Sequence, residues 1–307
     1  MSSQINLALI GRGHWGKVYE RTITGLTQVT AGGYSVSLLQ HIFGKDYKEA
    51  FTHPQMRNVD GIIVASSTSA HYEIAAHLFS RGFRNLLIEK PLTRTYEEAQ
   101  KLQELAQKHP EAILMVDHTL LYDPAVRLMK EQATHTIGTI KHVNYTSLKT
   151  PLIEGNTIIP DAGSPPIYLF LDIAGASPLS IAAKPKENDN VEITVEFKNG
   201  MRAVAKIGSV YSERKREIVF SGEHGTLMLT EFMNPREIIF ADLNGNQTPL
   251  AFPTDRTALE GALLEFAECI ADKKQPATPF SAGAEVVKMI ELAEQSFKKG
   301  GEPVLCI

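Results

Sequence analysis

The stretch that decides the fold is Asn6-Leu-Ala-Leu-Ile-Gly-Arg-Gly-His-Trp-Gly16, in which an apolar run leads directly into three spaced glycines. The run predicts a buried strand, and the residues after it have helical character. At this spacing Gly11 permits a tight turn, Gly13 lets the backbone approach a pyrophosphate, and Gly16 lets the helix lie close to the strand. An ordinary strand-to-helix turn is the alternative. The pattern predicts a dinucleotide site that also includes Arg12, His14 and Trp15.

Length and composition set bounds on the class of protein. The chain has 307 residues, 43% hydrophobic and 21% charged, which suffices for about two globular domains. A formal net charge of −4 creates no field that attracts nucleic acid or an anionic membrane, so neither is an expected partner. Without an apolar run of ~20 residues or a signal-peptide pattern, we expect a cytoplasmic protein. Cys269 and Cys306 are too few for a disulfide framework or a zinc site, and no metal is expected.

The first part of the chain, to about residue 120, alternates short apolar runs with helical patterns. This alternation predicts a parallel sheet covered by helices, with strands at 7–10, 34–39, 61–65, 85–88 and 113–116. Ligands bind beyond the carboxyl ends of parallel strands, so the segments after these strands should line one crevice. Beyond the glycines, the expected cofactor contacts are Ser66, Ser67, Thr68, His71, Glu89, Lys90 and Pro91.

The second strand bears on the choice of cofactor. A site for NAD usually has an Asp or Glu about 20 residues beyond the glycines, where it binds the ribose 2′-hydroxyl. No acidic residue occurs from Ser35 to Lys45, whereas Arg12 is available to contact a 2′-phosphate. The sequence therefore predicts an NAD(P) site that favours NADP. His41 and Lys45 are nearby polar residues, for which a solvated surface position is the alternative.

After residue 124 the pattern changes to strands joined by hairpin-like turns such as Lys198-Asn-Gly200. These strands predict a large antiparallel sheet, against which a helix from about Pro165 to Ala174 should pack. Amphipathic helices at 257–272 and 283–298 are expected to complete the first domain or to bridge the two. The predicted organisation is a dinucleotide-binding domain at 1–120 and a substrate and oligomerisation domain at 121–307, with helices at about 256–300 as candidates to pack back onto the first domain.

Several motifs together resemble the Gfo/Idh/MocA family of NAD(P)-dependent oxidoreductases. They are the glycine turn, Ser66-Ser-Thr-Ser-Ala-His71, Leu87-Ile-Glu-Lys-Pro91 and Tyr122-Asp-Pro124, and the likeness runs over nearly the whole chain. Glu89-Lys-Pro91 after an apolar strand is the most specific of them. The resemblance implies an α/β Rossmann domain with a parallel sheet, plus an α+β C-terminal domain with a large open antiparallel sheet.

The resemblance also implies a reaction. Members usually transfer a hydride between nicotinamide and a secondary alcohol or carbonyl of a small molecule such as a sugar or sugar nucleotide, and they assemble as homodimers or higher homo-oligomers. The lysine that matches Lys90 lies beside the nicotinamide and the reacting oxygen, and the peptide bond before the matching Pro91 is often cis. An ammonium suits that place because it can stabilise a developing alkoxide and transfer a proton. His71 matches a position along the cofactor.

One segment departs from the family pattern. Relatives commonly carry Asp-x-Gly-x-His at the start of a helix in the second domain, and here Asp161-Ala-Gly-Ser-Pro165 puts proline in the histidine position. Proline exchanges no proton, so the proton-transferring group is left open. Three alternatives are open: Lys90 acts alone or with a tyrosine, His118 substitutes for the missing histidine, or the site binds its ligand without reacting. The candidate tyrosines are Tyr122 and Tyr168.

Two classes of function follow from these observations. The first is an oxidoreductase with Lys90 as its main catalytic polar group and His118 and Tyr168 as further catalytic candidates. Its expected substrate contacts are Tyr122, Lys149 and Asp161. The alternative is a cofactor-binding sensor or regulatory protein without catalysis, a hypothesis motivated by Pro165. A reductase of a non-sugar ligand that needs no histidine lies between the two.

Overall fold

The computed structural model describes residues 4–26, 32–42, 48, 54–148, 158–187, 190–209, 215–230 and 236–307. The chain forms two compact units, one of residues 1–122 with 256–287 and the other of residues 123–255 with 288–307. It therefore leaves the first unit after Tyr122 and returns to it at Arg256. In the part of the chain that the structure describes, no helix is long and apolar enough to cross a membrane.

Helices and strands alternate in the first part of the chain, and strands dominate the middle. The helices are α1 (His14–Gly25), α2 (Thr68–Ser80), α3 (Tyr96–Gln107), α4 (Pro124–Thr136), α5 (Ile158–Ala174), α6 (Ala258–Asp272) and α7 (Phe280–Lys298). The strands are β1 (Gln4–Ile10), β2 (Ser35–Ile42), β3 (Gly61–Val64), β4 (Asn85–Glu89), β5 (Ile113–Asp117), β6 (His142–Leu148), β7 (Pro178–Pro185), β8 (Val191–Phe197), β9 (Arg202–Ile207), β10 (Lys215–Ser221), β11 (Gly225–Thr230), β12 (Glu237–Asp242), β13 (Gln247–Leu250) and β14 (Val304–Leu305).

The first unit is built on a parallel sheet with the strand order β2-β1-β3-β4-β5 among the described residues. Strands β3, β4 and β5 are buried almost throughout, which explains why they occur in the sequence as continuous apolar runs. On one face, α2 and α3 contribute Leu78 and Leu102 to the core. On the other face, α1 contributes Tyr19 and α6 contributes Leu263 and Phe266. The predicted parallel, helix-covered sheet is confirmed.

The second unit contains a large sheet with the order β13-β12-β11-β10-β6-β9-β8-β7-β14 among the described strands. The pairs are antiparallel as predicted, except that β6 and β9 run parallel. Helix α5 packs on this sheet, where a Cβ built on Gly163 would lie 3.1 Å from Cδ1 of Ile193. The helix approaches the sheet closely at Gly163, where a larger side chain would have little room.

Helix α5 begins earlier than the sequence suggests. It starts at Ile158, whereas Pro165 was expected in its first turn, where proline is most easily accommodated. Pro165 and Pro166 instead lie inside the helix. Because proline has no backbone N–H, the carbonyls of Asp161 and Ala162 lose their usual helical donors. Asp161 consequently stands in the first turn of the helix.

Candidate functional site

The candidate site lies at the carboxyl edge of the parallel sheet in the first unit. Adjacent strands end side by side, since Ile10 pairs with Val64, Val64 with Ile88, and Glu89 with Asp117. The three segments expected to bind the cofactor, which are the glycine turn, Ser66–His71 and Glu89–Pro91, all begin at this edge. Strand order also reverses between β1 and β3, which is where ligands bind in open α/β sheets.

The glycine turn is fixed by close backbone contacts. Gly11 has a φ of 127°, and a Cβ built on it would lie 2.2 Å from the carbonyl oxygen of Ala65. A Cβ on Gly16 would lie 2.3 Å from the carbonyl oxygen of Gly11. Gly13 differs, because nothing lies within 4 Å of its hypothetical Cβ. The first and third glycines are therefore required by the fold, whereas the second leaves open space.

That space adjoins the beginning of α1. Gly13 is the N-cap residue, and no side chain caps the helix. The first backbone N–H groups and the positive end of the helix dipole are therefore available to a phosphate. Trp15 packs against the core cluster beneath α1, and its ring meets the His14 ring edge-on, with centroids 5.7 Å apart. Those contacts are the ones expected of a tryptophan at a domain edge.

The end of β2 carries His41 next to the glycine turn. Nε2 of His41 lies 2.5 Å from the carbonyl oxygen of Gly11, and Nδ1 lies 3.2 Å from Oε1 of Glu20. Since a carbonyl oxygen only accepts, Nε2 carries the hydrogen. Arg12 is exposed in the turn itself. Lys45, the other cation predicted here, falls outside the described residues.

His71 joins two of the cofactor segments. The residue is buried, with Nδ1 3.1 Å from the carbonyl oxygen of Pro91 and Nε2 3.2 Å from that of Ser66. Both partners accept hydrogen bonds, so a neutral ring donates to one of them at a time. Burial lowers the pKa of His71, and the two carbonyl contacts oppose that shift. This environment fits a residue that holds the Ser66 and Pro91 segments together.

Lys90 follows the last residue of β4 at the same edge. Glu89, which precedes it, is buried, whereas Lys90 is half-buried. The peptide bond between Lys90 and Pro91 is cis, as the family resemblance implies. The side chain therefore starts from the edge at which the glycine turn and the Ser66 segment also begin.

Behind this edge lies a buried hydrogen bond that the sequence analysis did not predict. The Tyr19 hydroxyl, on α1, donates to Oδ2 of Asp117 at the end of β5, and both residues are fully buried. Burial raises the pKa of Asp117, while the hydroxyls of Tyr19 and Thr119 and the charge of Lys90 oppose that shift. The partners are 98 residues apart, so no local pattern could have linked them.

His118 is the residue proposed from sequence to replace the missing histidine. It is buried, and burial together with the positive charge of Lys90 lowers its pKa to about 3. Its imidazole is therefore neutral near pH 7. The neighbouring Asp117 carboxylate accepts the hydrogen bond from Tyr19.

Tyr122 is buried in the first unit, where it bridges two elements. Its hydroxyl lies 3.1 Å from Oγ1 of Thr278 and donates to Oε1 of Glu265 at 3.2 Å. Thr278 in turn donates to the carbonyl oxygen of Val116 at the end of β5. These contacts occupy the hydroxyl without a substrate, and they favour a structural role for Tyr122.

The remaining predicted residues belong to the second unit. Asp161 and Tyr168 are both buried on α5, and their separation of about two turns puts them on one face of the helix. Lys149 falls outside the described residues.

The parallel sheet, the glycine turn and the convergent loops define a dinucleotide-binding domain of the Rossmann type. Residues 5–118 match the model of the oxidoreductase family with an NAD-binding Rossmann fold, and residues 172–305 match the model of its C-terminal alpha/beta domain. The chain belongs to this Gfo/Idh/MocA oxidoreductase family.

Individual relatives are distant. Over 113 residues the chain is 27% identical to the rhizopine catabolism protein MocA of Rhizobium meliloti, and that alignment spans 35% of each protein. An inositol dehydrogenase homologue from Azotobacter vinelandii, solved with NADH and myo-inositol, is 16% identical, with a TM-score of 0.84 over 99% of this chain and 98% of its own. UDP-N-acetylglucosamine 3-dehydrogenase from Acidithiobacillus ferrooxidans is 18% identical, with a TM-score of 0.82 over 97% and 99%. These structural likenesses show the shared fold.

Proposed function

We propose that this protein transfers a hydride between NAD(P) and an alcohol or carbonyl carbon of a small sugar-like molecule, with Lys90 as the main catalytic polar group. The observation that carries the proposal is the convergence, at one sheet edge, of an open helix N-terminus, the Ser66–His71 segment and Lys90. The first two suit a dinucleotide, and an ammonium suits the oxygen that is reduced. The family models support the oxidoreductase class, and no comparison supports a sensor without catalysis.

The proposed division of roles follows from the environments. Lys90 stabilises the developing alkoxide and supplies the proton in the direction of reduction. His118, which is neutral, is suited to hydrogen bonding and not to the donation of a proton near pH 7. In the second unit, Asp161, Tyr168 and Lys149 remain predicted contacts for the substrate.

The substrate class is tested by a turnover screen. The structural neighbours include an inositol dehydrogenase homologue and a UDP-N-acetylglucosamine 3-dehydrogenase. The panel therefore contains myo-inositol, UDP-N-acetylglucosamine, simple aldoses and their keto forms. Each is offered with NAD, NADP and their reduced forms while absorbance at the nicotinamide band is recorded. Turnover of a member by the wild-type protein supports the proposal. Tight nucleotide binding with no turnover of any member contradicts it.

The glycine turn gives a paired prediction about the cofactor. Gly13→Ala places its methyl group in open space, so thermal stability is expected to stay within about 1 kcal/mol of wild type while dinucleotide affinity falls about tenfold or more. Gly16→Ala drives a methyl group into the Gly11 carbonyl, and it is expected to lower stability by about 1–3 kcal/mol. Thermal unfolding and titration with NADH and NADPH measure both effects. Unchanged nucleotide affinity in a folded Gly13→Ala variant contradicts the site.

We also propose that the site prefers NADP. Strand β2 ends without an acidic side chain, and exposed Arg12 lies in the turn beside it. Removing the guanidinium in Arg12→Ala is expected to weaken NADPH binding by about tenfold, while NADH binding changes by less than about twofold, because only NADPH carries the 2′-phosphate. Calorimetric titration with each nucleotide checks this. Arg21→Ala, an exposed arginine further along α1, serves as the control. An equal loss for both nucleotides refutes the preference.

A further inference from the structure

The buried imidazole of His71 lies between two of the segments that form the candidate site. His71 ends the Ser66–His71 segment near the start of α2, and Pro91 directly follows Lys90. Nδ1 of His71 lies 3.1 Å from the Pro91 carbonyl oxygen, and Nε2 lies 3.2 Å from the Ser66 carbonyl oxygen. The residue has a relative exposure of 1%. Both ring nitrogens therefore face protein carbonyls and not a ligand.

The Pro91 carbonyl is the point at which the chain after Lys90 can be anchored by a hydrogen bond. Proline has no backbone N–H, so the carbonyl oxygen is the only polar main-chain atom that Pro91 offers. Pro91 is buried, and a buried carbonyl without a donor costs about 1–3 kcal/mol. A hydrogen bond from His71 avoids this cost and fixes the residue that follows Lys90.

The two carbonyls near His71 differ in burial. Burial lowers the pKa of His71, so near pH 7 the ring is neutral and has a single N–H. Ser66 is half-buried, whereas Pro91 is buried. Because a buried acceptor loses more when it has no donor, the hydrogen is expected on Nδ1, where it is donated to Pro91.

The Ser66–His71 segment is also in contact with the glycine turn. A Cβ built on Gly11 would lie 2.2 Å from the carbonyl oxygen of Ala65 and 3.0 Å from the backbone nitrogen of Ser66. Gly11 therefore packs directly on the start of this segment, and His71 connects the end of the segment to Pro91. One continuous series of contacts runs from the glycine turn to the residue after Lys90.

We propose that His71 is a positioning residue for Lys90: its Nδ1–H holds the Pro91 carbonyl and so fixes the lysine relative to the loops proposed to bind the dinucleotide. The catalytic meaning of this contact rests on the proposed function, whereas the hydrogen bond itself does not. His71 acts through the main chain and exchanges no proton with a substrate. Such spacing matters because a displacement of about 1 Å at a reacting group can cost about 10²-fold in rate.

The hydrogen bond is tested in the wild-type protein by nuclear magnetic resonance of ¹⁵N-labelled histidines. At pH 7 the His71 ring is expected to have its hydrogen on Nδ1. This hydrogen should exchange with water at least about a hundredfold more slowly than the ring hydrogen of exposed His135. A His71 hydrogen that exchanges as fast as that of His135, or that resides on Nε2 alone, overturns the proposal.

Two substitutions separate hydrogen bonding from packing. His71→Leu fills a similar volume without a donor, whereas His71→Gln keeps an amide N–H. With an active wild type, His71→Leu is expected to lower kcat about tenfold or more, while nucleotide affinity stays within about threefold because the glycine turn is unchanged. His71→Gln is expected to keep kcat within about threefold of wild type. A residue that only filled the core would tolerate leucine at least as well as glutamine.

His77→Leu is the matched control, because His77 lies in the last turn of the same helix. This substitution should leave kcat within about twofold of wild type. An unchanged kcat in folded His71→Leu, or an equal loss in His71→Leu and His71→Gln, refutes positioning. If His71→Leu does not fold, a loss of more than about tenfold in folded His71→Gln refutes it. If no substrate turns over, the proposed function fails, and the ring spectrum still decides whether His71 holds Pro91.

Discussion

Replacing Lys90 with alanine is expected to lower kcat by a factor of about 10²–10⁴, the range in which a positioned proton donor accelerates a reaction. The reason is that hydride delivery to a carbonyl leaves charge on oxygen, and Lys90 is a cation that follows β4 at the same sheet edge as the glycine turn. Nucleotide affinity should stay within about twofold, because the turn and the helix N-terminus are untouched. Stopped-flow turnover and nucleotide titration measure the two quantities separately.

Lys101→Ala is the control for this substitution. Lys101 is exposed on α3 in the same unit, where its ion pair with Glu97 spans 2.6 Å, and such pairs contribute little to stability. Its loss should leave kcat unchanged within about twofold. Full turnover in Lys90→Ala would reject the assigned role. A parallel loss of nucleotide binding and of the cooperative unfolding transition would instead indicate a folding defect, which Lys90→Met, with its longer side chain, would distinguish.

Acidification from pH 7 to pH 5 is expected to destabilise the first unit. Burial and the nearby Lys90 lower the pKa of His118 to about 3, and burial lowers the pKa of His71. The unfolded chain binds a proton at each histidine below about pH 6.5, and the folded chain does so only at a lower pH. The contribution of these two neutral histidines to the free energy of unfolding is therefore fully present above about pH 6.5, and it declines as the pH falls. His118 alone accounts for a loss of about 2 kcal/mol by pH 5.

Urea unfolding at pH 7, 6 and 5 tests this dependence. His118→Asn cannot titrate, so its free energy of unfolding should fall less steeply with acidification than that of the wild type. His135→Asn, at an exposed position on α4, should leave the slope unchanged. Burial raises the pKa of Asp117, so above about pH 4 the folded chain binds a proton there more readily than the unfolded chain does. Asp117 therefore opposes the loss of stability on acidification and makes the overall pH dependence less steep. A wild-type curve that is flat from pH 7 to pH 5 would contradict the prediction.

Sequence periodicity was sufficient for the first unit because its elements are specified locally. An apolar run such as Leu7–Ile10 has to be a buried strand, and the glycines after it have one common use. The close contacts of Gly11 and Gly16 confirm the backbone reasons given for them. The dinucleotide-binding class followed from these short segments, and the oxidoreductase family followed from the resemblance that Glu89-Lys-Pro91 helps to carry.

Contacts between residues far apart in the sequence could not be predicted in this way. Nothing around Tyr19 indicates that its hydroxyl meets Asp117, and nothing around Tyr122 indicates Thr278, 156 residues away. The start of α5 was placed too late because tertiary packing on the sheet overrides the helix-breaking tendency of Pro165. Strand β7 was not predicted, although its buried Ile181 and Ala183 pair with β8.

During synthesis, the core of the first unit cannot be completed until α6 has been made. Leu263 and Phe266 fill the core beneath β1 and β3, yet they are made only after the strands that they cover. A nascent chain that ends before α6 leaves part of one apolar face of its parallel sheet exposed to water or to a chaperone. Residues 123–255 of the second unit are made before α6 and can already assemble most of that unit's sheet, so translation favours late completion of the nucleotide-binding core.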